Sequence, residues 1–251
     1  MLTLRETFQH LRWDLARYRE RLGQPALAIV LLFPGFQAIA LYRISHWLNT
    51  RGRKGAIWWP LIVVEALITR LVEISTGIYI SPNAQIGPGL YFPHFGCIFI
   101  GDQSVIGRNC DIYQGVTIGY GGRRRNGGYP VLGDRVFVAA GAKVLGPIQV
   151  GDDAVIGANA VVTKSADARA VLVGVPARAH AHTGSFDMIR YPGYLTDPQR
   201  QASLCVAEQP CPQHLATACE AINWAELEAL LATNNGGNHE WAAPAGKEHK
   251  V

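Results

Sequence analysis

Aliphatic side chains recur at every sixth position through the middle of this 251-residue chain. Ile80, Ile86 and Phe92 lead, and after a two-residue slip the series runs on through Ile100, Ile106, Ile112 and Ile118. After a longer interruption it resumes at Leu132, Val138, Val144, Val150, Ile156 and Val162. Twelve of these thirteen positions hold Ile, Val or Leu, so chance is a poor competitor. A period of six fits neither the helix repeat nor the alternation of a plain strand. It fits a parallel β-helix, in which each hexapeptide makes one short strand and one turn and three of them, about 18 residues, complete a coil. The repeated aliphatic points inward, where its burial is worth roughly 1.5–3 kcal/mol. Gly follows it at 87, 101, 107, 119 and 157, where a corner needs backbone freedom or close approach.

Both interruptions carry unusual residues. The slip follows His94, in "GLYFPHFGCIFIG", the only histidine between Gly77 and Arg178. The second places eight extra residues in "GYGGRRRNGGYPV", a glycine-rich basic loop. A solenoid accepts insertions only at its corners, and such loops often sit on the binding face.

The flanks differ. Residues 1–76 read as a helical region: "LRETFQHLRWDLARYRERLG" spaces Leu4, Phe8, Leu11, Leu15 and Tyr18 three or four apart, and "FQAIALYRISHWLNTRG" ends on Gly52. Residues 77–180 form the β-helix domain, and 181–251 a C-terminal extension with one amphipathic helix at 219–232 and a disordered end. Two apolar stretches, 26–42 and 56–68, are broken by Pro34–Gly35 and by Pro60 and Glu65, short of the roughly 20 residues a membrane span needs. Helices packed on the protein are the first expectation there. A peripheral contact with the inner face of a membrane is the second, because Trp58 and Trp59 are flanked by Arg51, Arg53, Lys54 and Arg70. A content of 49% hydrophobic residues supports a core of ordinary size, and a net charge of +4 gives no case for nucleic acid. Residues 1–24 do not read as a signal peptide, and five cysteines without framework or zinc spacing fit a reducing, cytoplasmic setting.

The combination of "PGFQAIALYRISHWL", "ISPNAQIGPGL", "PHFGCIFIG", "QGVTIG", "AAGAKVLG" and "VGVPAR" resembles the hexapeptide-repeat acyltransferases, and among them the serine acetyltransferase branch, over residues 34–178. The resemblance implies a left-handed parallel β-helix, a homotrimer, and acetyl transfer from acetyl-CoA to a hydroxyl without a metal. His94 falls on the family's catalytic histidine. The chemistry suits it: an alcohol attacks a thioester slowly unless a base takes its proton, and imidazole titrates near a pH of about 6.5. By the same resemblance Ala140, Gly141 and Ala158 line the CoA groove between subunits, and Lys164 and Arg178 meet CoA phosphates, ordinary solvated cations being the competing account of those two. Arg123, Arg124 and Arg125 stand open between a phosphate contact and a solvated loop.

Three departures bear on the acceptor. Tyr79 stands where the family has an aspartate, Pro93 where it has an acidic residue, and Gly128 with Tyr129 where an Arg-His pair meets the amino acid. A site without those charges should bind a zwitterion poorly. "PHFG", "QGVTIG" and "GGYPV" look more like the enzymes that O-acetylate sugars in polysaccharide biosynthesis. Tyr79, Phe95, Tyr113 and Tyr129 are then the expected acceptor-binding residues, with Tyr91, Phe92 and Tyr120 as further stacking faces. What orients His94 stays open between a backbone carbonyl, Tyr79, and Asp111 of a neighbouring coil or subunit. A zinc-dependent carbonic anhydrase of the same fold is excluded, since it needs three histidines from the coils. The expectation is a cytoplasmic O-acetyltransferase acting on a glycan or sugar-nucleotide acceptor for exopolysaccharide, capsule or lipid-linked glycan. The alternatives are a serine O-acetyltransferase of cysteine biosynthesis and a non-enzymatic repeat scaffold.

Overall fold

A computed structural model describes residues 3–51, 59–122 and 127–207. The expected helix at 219–232, the tail beyond it and the loop arginines 123–125 lie outside the described residues.

Helix α1 (Leu4–Leu22) opens on a reciprocal cap, Thr3 N donating to Glu6 Oε2 at 2.6 Å and Glu6 N to Thr3 Oγ1 at 3.2 Å. It stops where Gly23 turns left-handed, φ 64°. Helices α2 (Ala26–Leu32) and α3 (Pro34–Arg51) are separated by Phe33 alone, and their axes differ by 88°. Pro34 suits the first turn of α3, where no N–H is needed. Helix α4 (Trp59–Thr76) leads into the repeats. Among the described residues no single helix is long and apolar enough to cross a membrane.

The apolar stripe expected on α1 is only partly the packed one. Leu11 and Leu15 pack against the core and Tyr18 is buried within it, but Leu4 and Phe8 are exposed. Ion pairs decide the face. Asp14 and Arg17 are fully buried: Asp14 holds Arg43 of α3 at 2.9 Å and accepts from the N–H groups of Gly89 and Leu90 at 2.7 and 3.1 Å. Arg43 in turn donates to the carbonyls of Ile86 and Gly87 at 2.5 and 2.7 Å. Arg17 bonds Asp111 and the carbonyls of Gly89 and Cys110. Helices and first coil are thus joined by polar groups satisfied on both sides, the condition for burying charge.

Short strands follow in three sheets. The first holds β1 (Ile78–Ile80), β3 (Ile98–Ile100), β6 (Thr117–Gly119), β9 (Lys143–Leu145) and β12 (Val161–Val162). The second holds β2 (Gln85–Ile86), β4 (Val105–Ile106), β7 (Val131–Leu132) and β10 (Gln149–Val150). The third holds β5 (Asp111–Ile112), β8 (Phe137–Val138), β11 (Val155–Ile156), β13 (Val171–Val173) and β14 (Arg178–Ala181). Pairing is parallel throughout, except that β14 returns antiparallel to β13.

Strand register turns the linear period into columns. Ile80, Ile100, Ile118, Val144 and Val162 stack on the first sheet. Ile86, Ile106, Leu132 and Val150 stack on the second, and Ile112, Val138, Ile156 and Leu172 on the third. All are buried. Phe92 heads the third column, because Tyr91 bridges to Asp111. The slip and the insertion are therefore lengthened corners that leave every column in register. Beyond β14, Ser185 bonds Asp153 and Arg135, and α5 (Pro198–Ala207) places buried Arg200 on the carbonyl of Ile189 at 2.8 Å.

Candidate active site

Four successive corners join the third sheet to the first: residues 93–97, 113–116, 139–142 and 157–160. Backbone bonds of 2.9 Å stack them, Gly115 N on Gly96 O, Gly141 N on Gln114 O and Asn159 N on Ala140 O. His94 therefore stands at the top of an edge that descends through Ala140 and Gly141 to Ala158. Gly141 has φ +75°, and a Cβ there would lie 2.0 Å from Asn159 Oδ1, so only glycine closes this corner. Lys143 ties two levels together, donating to Gly115 O at 2.5 Å and Thr117 Oγ1 at 3.1 Å. Arg178 follows the next corner, where Ala177 N donates to Val161 O at 2.8 Å, whereas Lys164 lies past the far end of β12.

The imidazole of His94 is exposed, and among the described residues it makes no hydrogen bond. Its ring meets the edge of Tyr113, centroids 6.1 Å apart, and Tyr113 leans on Phe137. Burial, then the charge of Asp111, pushes the Tyr113 phenol above its usual value, so it stays protonated beside the histidine. Asp111 itself faces inward onto Arg17 and Arg21 and is not the group that orients His94 within this chain. Tyr79 is not either: it stacks on Phe99, centroids 4.9 Å apart and rings 12° from parallel.

Of the expected acceptor residues, Tyr113 and exposed Phe95 gather around His94. Tyr79 and Tyr129 do not. Tyr129 packs edge-on to Tyr120 and over Gly101, past the far end of β3, so in one chain the first sheet lies between it and the histidine. Tyr91 and Phe92, read as stacking faces, are buried under α1.

Sequence patterning missed the helical side of this site. Leu32, Phe33, Pro34 and Gly35 wall a pocket opposite Phe92, Pro93, His94 and Phe95. Tyr18 clamps its floor, its hydroxyl donating to Phe92 O and accepting from Phe92 N, both at 3.1 Å. That hydroxyl replaces a partner strand at the open top of the third sheet, and burial raises its pKa. Gly35 permits the approach: a Cβ would sit 2.7 Å from Tyr18 Oη and 2.8 Å from Phe92 O. Gly35→Ala is expected to lower stability by about 1–3 kcal/mol, read from the denaturant midpoint; an unchanged midpoint would mean the helices do not press on this corner. The only advance signal was "PGF" at the helix break.

Comparison with known proteins agrees with this geometry. Residues 129–164 match the family model for the bacterial transferase hexapeptide (six repeats). A serine acetyltransferase of Helicobacter pylori (strain J99) is 41% identical over 150 residues, 60% of this chain and 83% of that protein. One from Synechococcus elongatus is 36% identical over 166 residues, 66% of this chain but 65% of that protein, so the match spans just under two thirds of its length. A solved structure described as a serine acetyltransferase complex with CoA aligns at a TM-score of 0.59 and 33% identity, over 70% of each chain. These relatives overturn the expectation of a polysaccharide O-acetyltransferase. The aromatics behind it fit in part, since Tyr79 and Tyr129 pack on neighbouring rings away from His94 and Tyr91 and Phe92 are buried, which leaves only Tyr113 and Phe95 of that set beside the histidine. The fold is a left-handed parallel β-helix, and the chain belongs to the serine acetyltransferase family of hexapeptide-repeat acyltransferases.

Proposed function

We propose that this protein transfers the acetyl group of acetyl-CoA to the hydroxyl of L-serine, with His94 as general base. The observation that carries it is the single edge on which His94, Ala140, Gly141 and Ala158 align, in a chain whose relatives are named serine acetyltransferases. The serine oxygen attacks the thioester carbonyl while His94 takes its proton. The imidazolium then returns that proton to the departing sulfur of CoA, so the base is regenerated. Small side chains at Ala140 and Ala158 admit the pantetheine arm against backbone amides, and Arg178 meets phosphate charge at the lower end of the edge. Acetyl-CoA serves as co-substrate. Among the described residues there is no cluster of His, Cys, Asp or Glu able to hold a metal.

The functional unit is a homotrimer. Tyr129 and the base of its loop lie across the first sheet from their own His94, so in this scheme they act at the site formed with a neighbouring copy. Within this scheme Tyr79, Pro93 and Tyr129 leave the serine ammonium and carboxylate short of charged partners. L-Serine is therefore expected to bind weakly, with a KM beyond the ordinary range of about 1 μM–1 mM. The test is thiol release from acetyl-CoA by purified protein across a serine titration. Serine-dependent release supports the proposal. Acetyl-CoA binding without serine-dependent release sinks the acceptor, and no acetyl-CoA binding at all returns the protein to a scaffold.

A further inference from the structure

Helix α4 turns most of its apolar surface away from the protein, with Ile62 and Val72 the larger apolar side chains on its inner side. Its protein-facing side carries polar groups: Glu65 accepts hydrogen bonds from Ser45 of α3 and from Thr69, the latter at 2.8 Å. Its solvent side carries Trp59, Leu61, Val64, Leu67, Leu71 and Ile74, each 47–75% exposed. At about 100° per residue these six sweep an arc of roughly 200°. Within the arc one charged side chain occurs, Arg70, which is exposed and paired with Glu73 at 2.8 Å. Leu27, Leu31 and Leu32 of α2 add further exposed apolar surface. An apolar surface of this breadth marks an interaction site.

The width of the arc selects the occupant. A packed helix covers a seam about half as wide, roughly 100° for a core-facing stripe and less for a coiled coil. Acyl chains mould to the whole face. Charge points the same way at the entry to the helix. The charged residues of α4 itself are only Glu65, Arg70 and Glu73, and Arg17 and Arg43 are buried in ion pairs. The chain running into α4, however, holds Arg51, Arg53 and Lys54 with no acidic residue among them. A basic region bearing a broad apolar helix with a terminal Trp is matched to an anionic lipid surface. No single described helix is long and apolar enough to cross a membrane, which fits a helix lying in the plane of the interface. We propose that α4 docks this protein on the surface of a bilayer containing anionic lipid.

The proposal does not rest on the acetyl-transfer scheme, and its test uses no substrate. The full chain is floated with vesicles of phosphatidylcholine alone and of phosphatidylcholine with phosphatidylglycerol, beside the double variant Leu67→Asp/Leu71→Asp. Both substituted positions are exposed, so the variant is expected to keep the wild-type thermal transition and molecular mass. Wild type should float with the anionic vesicles and be released by salt, and the variant's partition coefficient should fall by about a hundredfold. Wild type that stays at the bottom with both vesicle types overturns the proposal. So does equal flotation of wild type and variant, which would put the contact elsewhere. A drop in molecular mass of the variant overturns it as well, because the face would then be an interface between copies.

Discussion

Replacing His94 with alanine is expected to lower kcat for acetyl transfer by about 10²–10⁴-fold, the range for a lost general base. The affinity for acetyl-CoA should change little, because the carried-over CoA positions Ala140, Gly141 and Ala158 lie two to three coils below the histidine. Stability should stay within about 0.5 kcal/mol of wild type, since the ring is exposed and bonded to nothing among the described residues. Rapid-quench turnover and isothermal titration with CoA separate the two effects. A kcat that survives the substitution would remove His94 from the chemistry and leave the edge as a CoA site without a base.

The largest effect on stability is expected at Asp14. This buried carboxylate pairs with Arg43 and caps the N–H groups of Gly89 and Leu90. Asp14→Ala leaves a guanidinium uncompensated inside the protein and two buried donors unpaired. Breaking a buried pair in this way costs about 3–5 kcal/mol. Chemical denaturation followed by tryptophan fluorescence measures it. The companion Asp14→Leu/Arg43→Met removes the stranded charge and should recover part of the loss. It should not recover all of it, because Arg43 also serves the carbonyls of Ile86 and Gly87. A loss below about 1 kcal/mol for the single variant would mean the Asp14–Arg43 pair adds little to the hold of the helices on the coil.

The columns of the β-helix were legible in the chain because each inward position repeats at a fixed interval, and an interval survives folding unchanged. Ile100 and Ile118, eighteen residues apart, become neighbours through nothing more than that count. The slip and the insertion were legible for the same reason, since each shifts the period by a whole number of residues. His94 was visible as the only imidazole in the repeats, placed where the period breaks. Its chemical role came from the family pattern, not from the interval.

Long-range contact decided the rest, because nothing local encodes it. The apolar spacing of α1 suggested Leu4 and Phe8 as inward, whereas the buried partners of Asp14 and Arg17 come from positions 29 to 94 residues away and turn the adjacent face to the core. Tyr18 read as one more apolar position, and only its meeting with Phe92, 74 residues on, makes it the clamp beneath the histidine. Tyr79 and Tyr129 read as acceptor surface, but strand register sets one on Phe99 and the loop folds the other over Gly101. An interval along the chain determines which residues repeat. A polar or aromatic side chain takes its role from whichever partner arrives across the fold, and that partner is fixed only when the coils close.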